Sequence, residues 1–193
     1  MSVLDRKAPA DRFTVDDYFK LYENGLLAGN RVELIEGRIR KIHAQGSDHQ
    51  RAMTLGSIVL QRHFPSNTHW VVLAGTVKLS KFNAPDPDLS VFNVPLRSPD
   101  DKRPLPMLLI EIADTSYAKD RGTKLRMYAK SGIGDYWIVN LKRRRVEVYR
   151  EPENVDGTEQ GWEYSNVRHY KPGESIALLA RPDVSIAVGE LLP

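Results

Sequence analysis

The chain has 193 residues, 41% of them hydrophobic, enough for one compact core, so a single domain over residues 1–193 is expected. It contains no cysteine, which excludes a disulfide framework and a thiolate metal site and leaves oxygen or imidazole as the only metal ligands. Its 28 lysines and arginines are nearly balanced by 25 aspartates and glutamates, and a formal charge of +3 is too weak to point to a polyanionic partner by itself.

From Thr14 the segment TVDDYFKLYENG predicts a helix. Thr14 can cap it with Asp17 at the capping-box position, Val15, Tyr18, Phe19 and Tyr22 recur at helical spacing, and Gly25 ends it. RVELIEGRIRKIHA alternates about the Glu36-Gly37 turn signal and predicts a β-hairpin. SDHQRAMTLGSIVLQRHF predicts a second helix, capped by Ser47 or Asp48, with Met53, Leu55, Ile58, Val59 and Gln61 in helical rhythm and an end before Pro65. The extended runs WVVLAGTVKLS, DLSVF and MLLIEIA follow, and should form the centre of a sheet.

Between Thr115 and Ser131 helical spacing returns, with Leu125, Tyr128 and Ala129 on one face and Gly132 just past the end. DYWIV and RVEVYR predict a second hairpin about the basic run Lys142, Arg143, Arg144 and Arg145. That run, with Arg121, Lys124, Arg126 and Lys130 shortly before it, reads either as a nucleic-acid contact or as a solvated turn. Trp137 and Tyr136 read as core. WEYSNVRHY and SIALLARPDVSIAV read as edge strands and loops. The order of elements predicts an α/β (α+β) fold with a mixed central sheet flanked by helices. No stretch of about 18 apolar residues offers a membrane span, and MSVLDRKAPADRF lacks the apolar run of a signal peptide, so a cytoplasmic location is expected.

Glu111 interrupts the near-continuous apolar run MLLIEIA. A carboxylate there must find a cation, be protonated, or sit where the strand opens to water. An ordinary ion pair would satisfy it. Pro87-Asp88 begins the preceding strand, however, so that Asp88 and Glu111 can lie side by side and share one ion. Magnesium suits such a site because it takes hard oxygen ligands and needs only one or two carboxylates beside substrate phosphate; an ordinary turn at APDPD is the alternative. Asp120 and Lys124, four residues apart, share a helical face opposite the Leu125, Tyr128 and Ala129 stripe, as a catalytic pair or an exposed ion pair. Gly122 between them suggests a close approach.

The blocks FTVDDYFKLYENG, RVELIEGRI, SDHQRAMTLGSIVLQRH, PDPDLSVF, LPMLLIEIADTSYAKDRGTKLRMYAKSGIGDYWIVN and GESIALLARPDVSIAV resemble the signatures of the Uma-type endonuclease family, within the PD-(D/E)XK superfamily. The resemblance spans nearly the whole chain and is most specific from Pro106 to Asn140. It implies a restriction-endonuclease-like core with extra hairpins and metal-dependent hydrolysis of phosphodiester bonds, with DNA as the partner and magnesium or manganese as the cofactor. Asp88 would be the motif aspartate and Glu111 the acidic residue of the next strand. Glu111 is followed by Ile112-Ala113, with no lysine at the motif position, so that the lysine's role falls to Lys124 with Asp120 one turn before it. Glu33 matches the family's early acidic residue, a third carboxylate, and His49 the histidine opening its second helix. The rival readings are a catalytically silent nucleic-acid-binding or assembly module and a hydrolase of smaller phosphate esters. A homodimer would match a two-fold duplex.

Overall fold

The computed structural model describes residues 12–42, 44–98, 104–158 and 160–193, which fall into two compact units. The first contains the described residues up to Ala44 together with Thr76–Asp86, and the second Gln45–Gly75 and Pro87–Pro193. Among the described residues no helix is long and apolar enough to cross a membrane.

In the first unit, α1 (Val15–Glu23) starts at a capping box. The Thr14 hydroxyl oxygen accepts the Asp17 N–H at 3.1 Å, and the Asp17 carboxylate accepts the Thr14 N–H at 2.9 Å. Strands β1 (Val32–Ile35) and β2 (Arg38–Lys41) form an antiparallel hairpin. Its two turn residues, Glu36 and Gly37, both adopt positive φ, 53° and 74°, the backbone of the turn that matches strand twist. Leu34 bridges to Ala84, the Tyr18 hydroxyl donates to the Val32 carbonyl at 2.9 Å, and Val15, Tyr18, Val32, Leu34 and Ala84 form one buried cluster.

The second unit is built on a six-stranded sheet in the order β3 (Trp70–Leu73), β4 (Leu89–Phe92), β5 (Leu108–Ala113), β6 (Asp135–Asn140), β7 (Arg145–Asn154), β8 (Trp162–Tyr170). All neighbours are antiparallel except β5 and β6, which run parallel. The sheet is therefore mixed, as its sequence predicts. A parallel pair needs a crossover, here supplied by α3 (Tyr117–Lys119), a π-helical turn (Asp120–Lys124) and α4 (Leu125–Lys130).

Strand alternation divides the sheet into two unlike faces. Leu89, Val91, Ile110, Ile112, Trp137, Val139, Val146 and Val148 share one apolar core with Ala52, Val59 and Leu60 of α2 (Ser47–His63). The short strands β9 (Ser175–Ala177) and β10 (Ser185–Ala187) add Ile176 and Ile186 to it. The other face carries Glu111, Tyr136, Asn140, Glu147 and Tyr149, and the crossover lies over it: Tyr128 packs on Tyr136 with ring centroids 4.9 Å apart, and the Tyr136 hydroxyl donates to the Asp120 carbonyl.

Several local expectations are corrected. The run from Trp70 to Ser80 is strand only as far as Leu73, because Ala74 turns into the left-handed region at φ 46°, and β3 forms a sheet edge rather than part of its centre. Helix α2 is capped by Gly46, without a side-chain bond, rather than by Ser47 or Asp48. Its buried stripe is Ala52, Gly56, Val59 and Leu60, with Ile58 outward. The helix expected between Thr115 and Ser131 is broken by the π-helical turn, and Gly122 within it meets no close neighbour: an added Cβ would find nothing within 4 Å.

Candidate active site

Glu111 sits on β5 with its side chain 4% exposed and is served by two donors from the crossover. Lys124 Nζ donates to Oε1 at 2.8 Å and the Tyr128 hydroxyl donates to the same oxygen at 2.6 Å. One helical turn separates Lys124 from Tyr128, so both reach the same strand residue. Burial pushes the Glu111 carboxyl up to about 8, against the lowering pull of Lys124 and with added repulsion from Asp120 and Asp88.

Asp88, just before β4, is held by three donors. Its Oδ1 accepts Gln45 Nε2 at 3.0 Å and lies 2.9 Å from His49 Nε2, while its Oδ2 accepts the Ile112 N–H at 2.8 Å. The last bond ties the Asp88 carboxylate to the backbone beside Glu111. Asp120, on the π-helical turn, is buried and takes a bond from the Ser116 hydroxyl at 2.5 Å. Burial raises its carboxyl, opposed by Lys124 and Ser116 and assisted by Asp88. Asp88, Glu111, Asp120 and Lys124 thus share one electrostatic neighbourhood in the second unit, with His49 at its edge.

Glu33 lies in the first unit, 1% exposed, where its Oε2 faces the Asp86 N–H at 3.5 Å. All four residues of β1 are buried, so Glu33 is not the solvent-facing member of an alternating strand. Lys124 is likewise not on a solvated face opposite Tyr128: both are buried and both touch Glu111. The structure also brings in Gln45 and Tyr128, which the sequence did not single out. Tyr128 counted as core because its ring belongs to the apolar stripe, although its position four residues beyond Lys124 was a usable signal.

Among the described residues no group of three or more His, Asp or Glu side chains is gathered as a metal cage. The donor set nonetheless fits a divalent cation that keeps waters and takes few protein ligands. Lys124 and Tyr128 both donate to Glu111 Oε1, and the neighbouring Asp88 and Asp120 add hard oxygens.

A family model described as "Putative restriction endonuclease", that of Uma2, matches residues 15–189. The chain belongs to the Uma2 family. Its fold is similar to the crystal structure of a "putative nuclease belonging to DUF820" from Anabaena variabilis, with a TM-score of 0.67 and 18% identity over 93% of this chain and 97% of that one. No curated protein matches the chain. The Uma2 match covers every residue of the cluster, from His49 to Lys124, and the structural likeness agrees with the mixed, helix-flanked sheet on which it stands.

Proposed function

We propose that this Uma2 protein is a metal-dependent endonuclease that hydrolyses phosphodiester bonds in DNA. The observation that carries the reading is the convergence of Asp88, Glu111 and Lys124 on one buried patch of one sheet face. Two carboxylates that repel each other beside a single ammonium make little sense as core packing, and good sense as a phosphate site.

Asp88 and Glu111 would hold magnesium or manganese, with Asp120 beside them. Such an ion, when bound, lowers the pKa of water and offsets charge on the phosphate. The protein's own groups supply positioning. Gln45, His49 and the Ile112 N–H fix the Asp88 carboxylate, and Tyr128 fixes Glu111. Lys124 Nζ exchanges its bond to Glu111 for one to a non-bridging phosphate oxygen, where it steadies the charge that grows as water oxygen bonds to phosphorus and the ester oxygen leaves. The departing oxygen takes a proton and the water loses one, so the products are an alcohol and a phosphate monoester.

Cleavage of supercoiled and linear DNA with and without magnesium or manganese tests this. Nicking that requires metal and falls about 100-fold or more in Glu111→Gln and Lys124→Ala is expected. Absence of cleavage with either metal, together with no heat of metal binding by calorimetry, overturns it in favour of a silent module. The cytoplasm, where reduced thiols and nucleic acid coexist, is the compartment this reading implies.

A further inference from the structure

One transverse row of the sheet joins the candidate active site to a second polar group. Glu111 pairs with Ile138, Ile138 with Glu147, and Glu147 with His169. With strands about 4.8 Å apart, Glu147 stands about 10 Å from Glu111 on the same face. Its carboxylate is fully buried and accepts from Arg145 Nη2 at 2.8 Å, Tyr149 at 2.8 Å, Tyr117 at 3.1 Å and Asn140 at 3.1 Å. Two tyrosine rings are thereby fixed by their hydroxyls on one buried acid.

Beside them a cleft of about 540 Å³ opens, its lining including Tyr117, Arg121, Tyr149, Glu163, Tyr164 and Val167. That volume is of the size that takes a small organic ligand. The charge around it is not balanced. Arg121, Arg143, Arg145 and His169 gather about Glu147: Arg143 lies over the Tyr117 ring at 5.6 Å, and the His169 imidazole is held below its usual pKa by burial first, then by Arg145, with Arg121 and Arg143 adding against Glu147. The π-helical turn serves both places. It turns Asp120 and Lys124 inward and leaves Arg121 exposed in the cleft.

We propose that this cleft is a strand-binding subsite that takes an unpaired nucleotide of the nucleic-acid substrate, its base against Tyr117 and Val167 and its phosphate on Arg121. Fixed aromatic rings beside guanidinium groups that outnumber the carboxylates are the chemistry that holds single strands without reading sequence. Glu147, which anchors two of the cleft's tyrosines, lies two strands from Glu111 on the same sheet face, so one strand of nucleic acid could reach both. The assignment rests on the nuclease reading for its substrate, and the test separates the two.

The probe is a fluorescent oligothymidylate of about 12 nucleotides, within the span such sites cover. Its anisotropy is followed in EDTA with the whole chain, beside a duplex of equal length and free thymidine monophosphate. Arg121→Ala and Val167→Glu, both at exposed positions, are compared with Arg62→Ala on α2, and melting confirms that each variant folds. Expected is a loss of single-strand affinity of about tenfold in both cleft variants, none in Arg62→Ala, and a salt slope reduced by about 0.7 in Arg121→Ala. No strand binding by the wild type, or equal affinity in wild type and cleft variants, overturns the proposal. Monophosphate binding as tight as the strand overturns the strand assignment. Weakened strand binding without any DNA cleavage upholds the cleft while the nuclease reading falls; Glu111-dependent cleavage with strand affinity indifferent to both substitutions removes the cleft alone.

Discussion

Glu111 and Glu147 occupy the same row of one sheet face, yet their surroundings treat them in opposite ways. Burial lifts Glu111 to about 8 despite Lys124. At Glu147 burial also acts upward, but the bonds from Arg145, Tyr149 and Asn140 outweigh it and the carboxyl is held below its usual value. A lowered folded pKa means stability that is present above the ordinary carboxylate range and lost as the pH falls through the folded value. Glu147→Gln should therefore cost about 1–3 kcal/mol near neutral pH, and its melting-temperature deficit should shrink steadily as the wild type is acidified below pH 4.5; a deficit that stays constant would contradict the assignment. Tyr128→Phe, which removes one donor from Glu111, should cost about 1 kcal/mol in urea unfolding and lower DNA cleavage while leaving the strand affinity unchanged. Glu111 was legible in the sequence because a carboxylate in an apolar run is anomalous wherever it lies. Tyr128 and Gln45 were not: a tyrosine hides its one polar atom at the end of an apolar ring, and a loop glutamine carries no periodicity at all.

Hairpins and capped helices were readable because their causes are local. The Glu36-Gly37 turn and the Thr14–Asp17 capping box each lie within four consecutive residues and recur in the structure as written. The phase of α2 was not readable, since Ile58, expected in the helical stripe, points outward while Gly56 presses on the sheet. A Cβ on Gly56 would lie 2.6 Å from Leu89 Cδ1, so Gly56→Val should destabilise by about 1–3 kcal/mol in chemical denaturation through overpacking, despite the better helix former. The π-helical turn was equally hidden, because nothing local announces it; its reason is the sheet beneath. It adds a residue to the turn between α3 and α4, and deleting Gly122 would rotate one flank by about 100° against the other, taking Asp120 or Lys124 away from Glu111.

With 28 cationic against 25 anionic side chains, the whole molecule has little field of its own, so on the proposed reading the attraction to DNA would be local and would fall to the basic clusters. The Lys142 to Arg145 run divides its duties: Arg145 serves Glu147, Arg144 donates to the Pro193 carbonyl, Arg143 lies over Tyr117, and Lys142 pairs loosely with Asp114 at 3.8 Å. A nuclease acting on both strands of a duplex gains from two copies related by a two-fold axis, and we propose a homodimer; light scattering that gives the monomer mass at micromolar concentration would rule it out. One further consequence follows from the parallel pairing of β5 with β6. The antiparallel ladder from β6 to β8 joins near neighbours in the chain, whereas β5 and β6 meet only after the crossover has folded back, a pairing with a larger loop-closure cost. Lys124 and Tyr128 at one place, and Tyr117 and Arg121 at the other, all ride on that crossover. On the proposed reading, a chain whose β6–β8 ladder has formed but whose β5 is still unpaired would lack the placement of both groups, and so either hold on a strand.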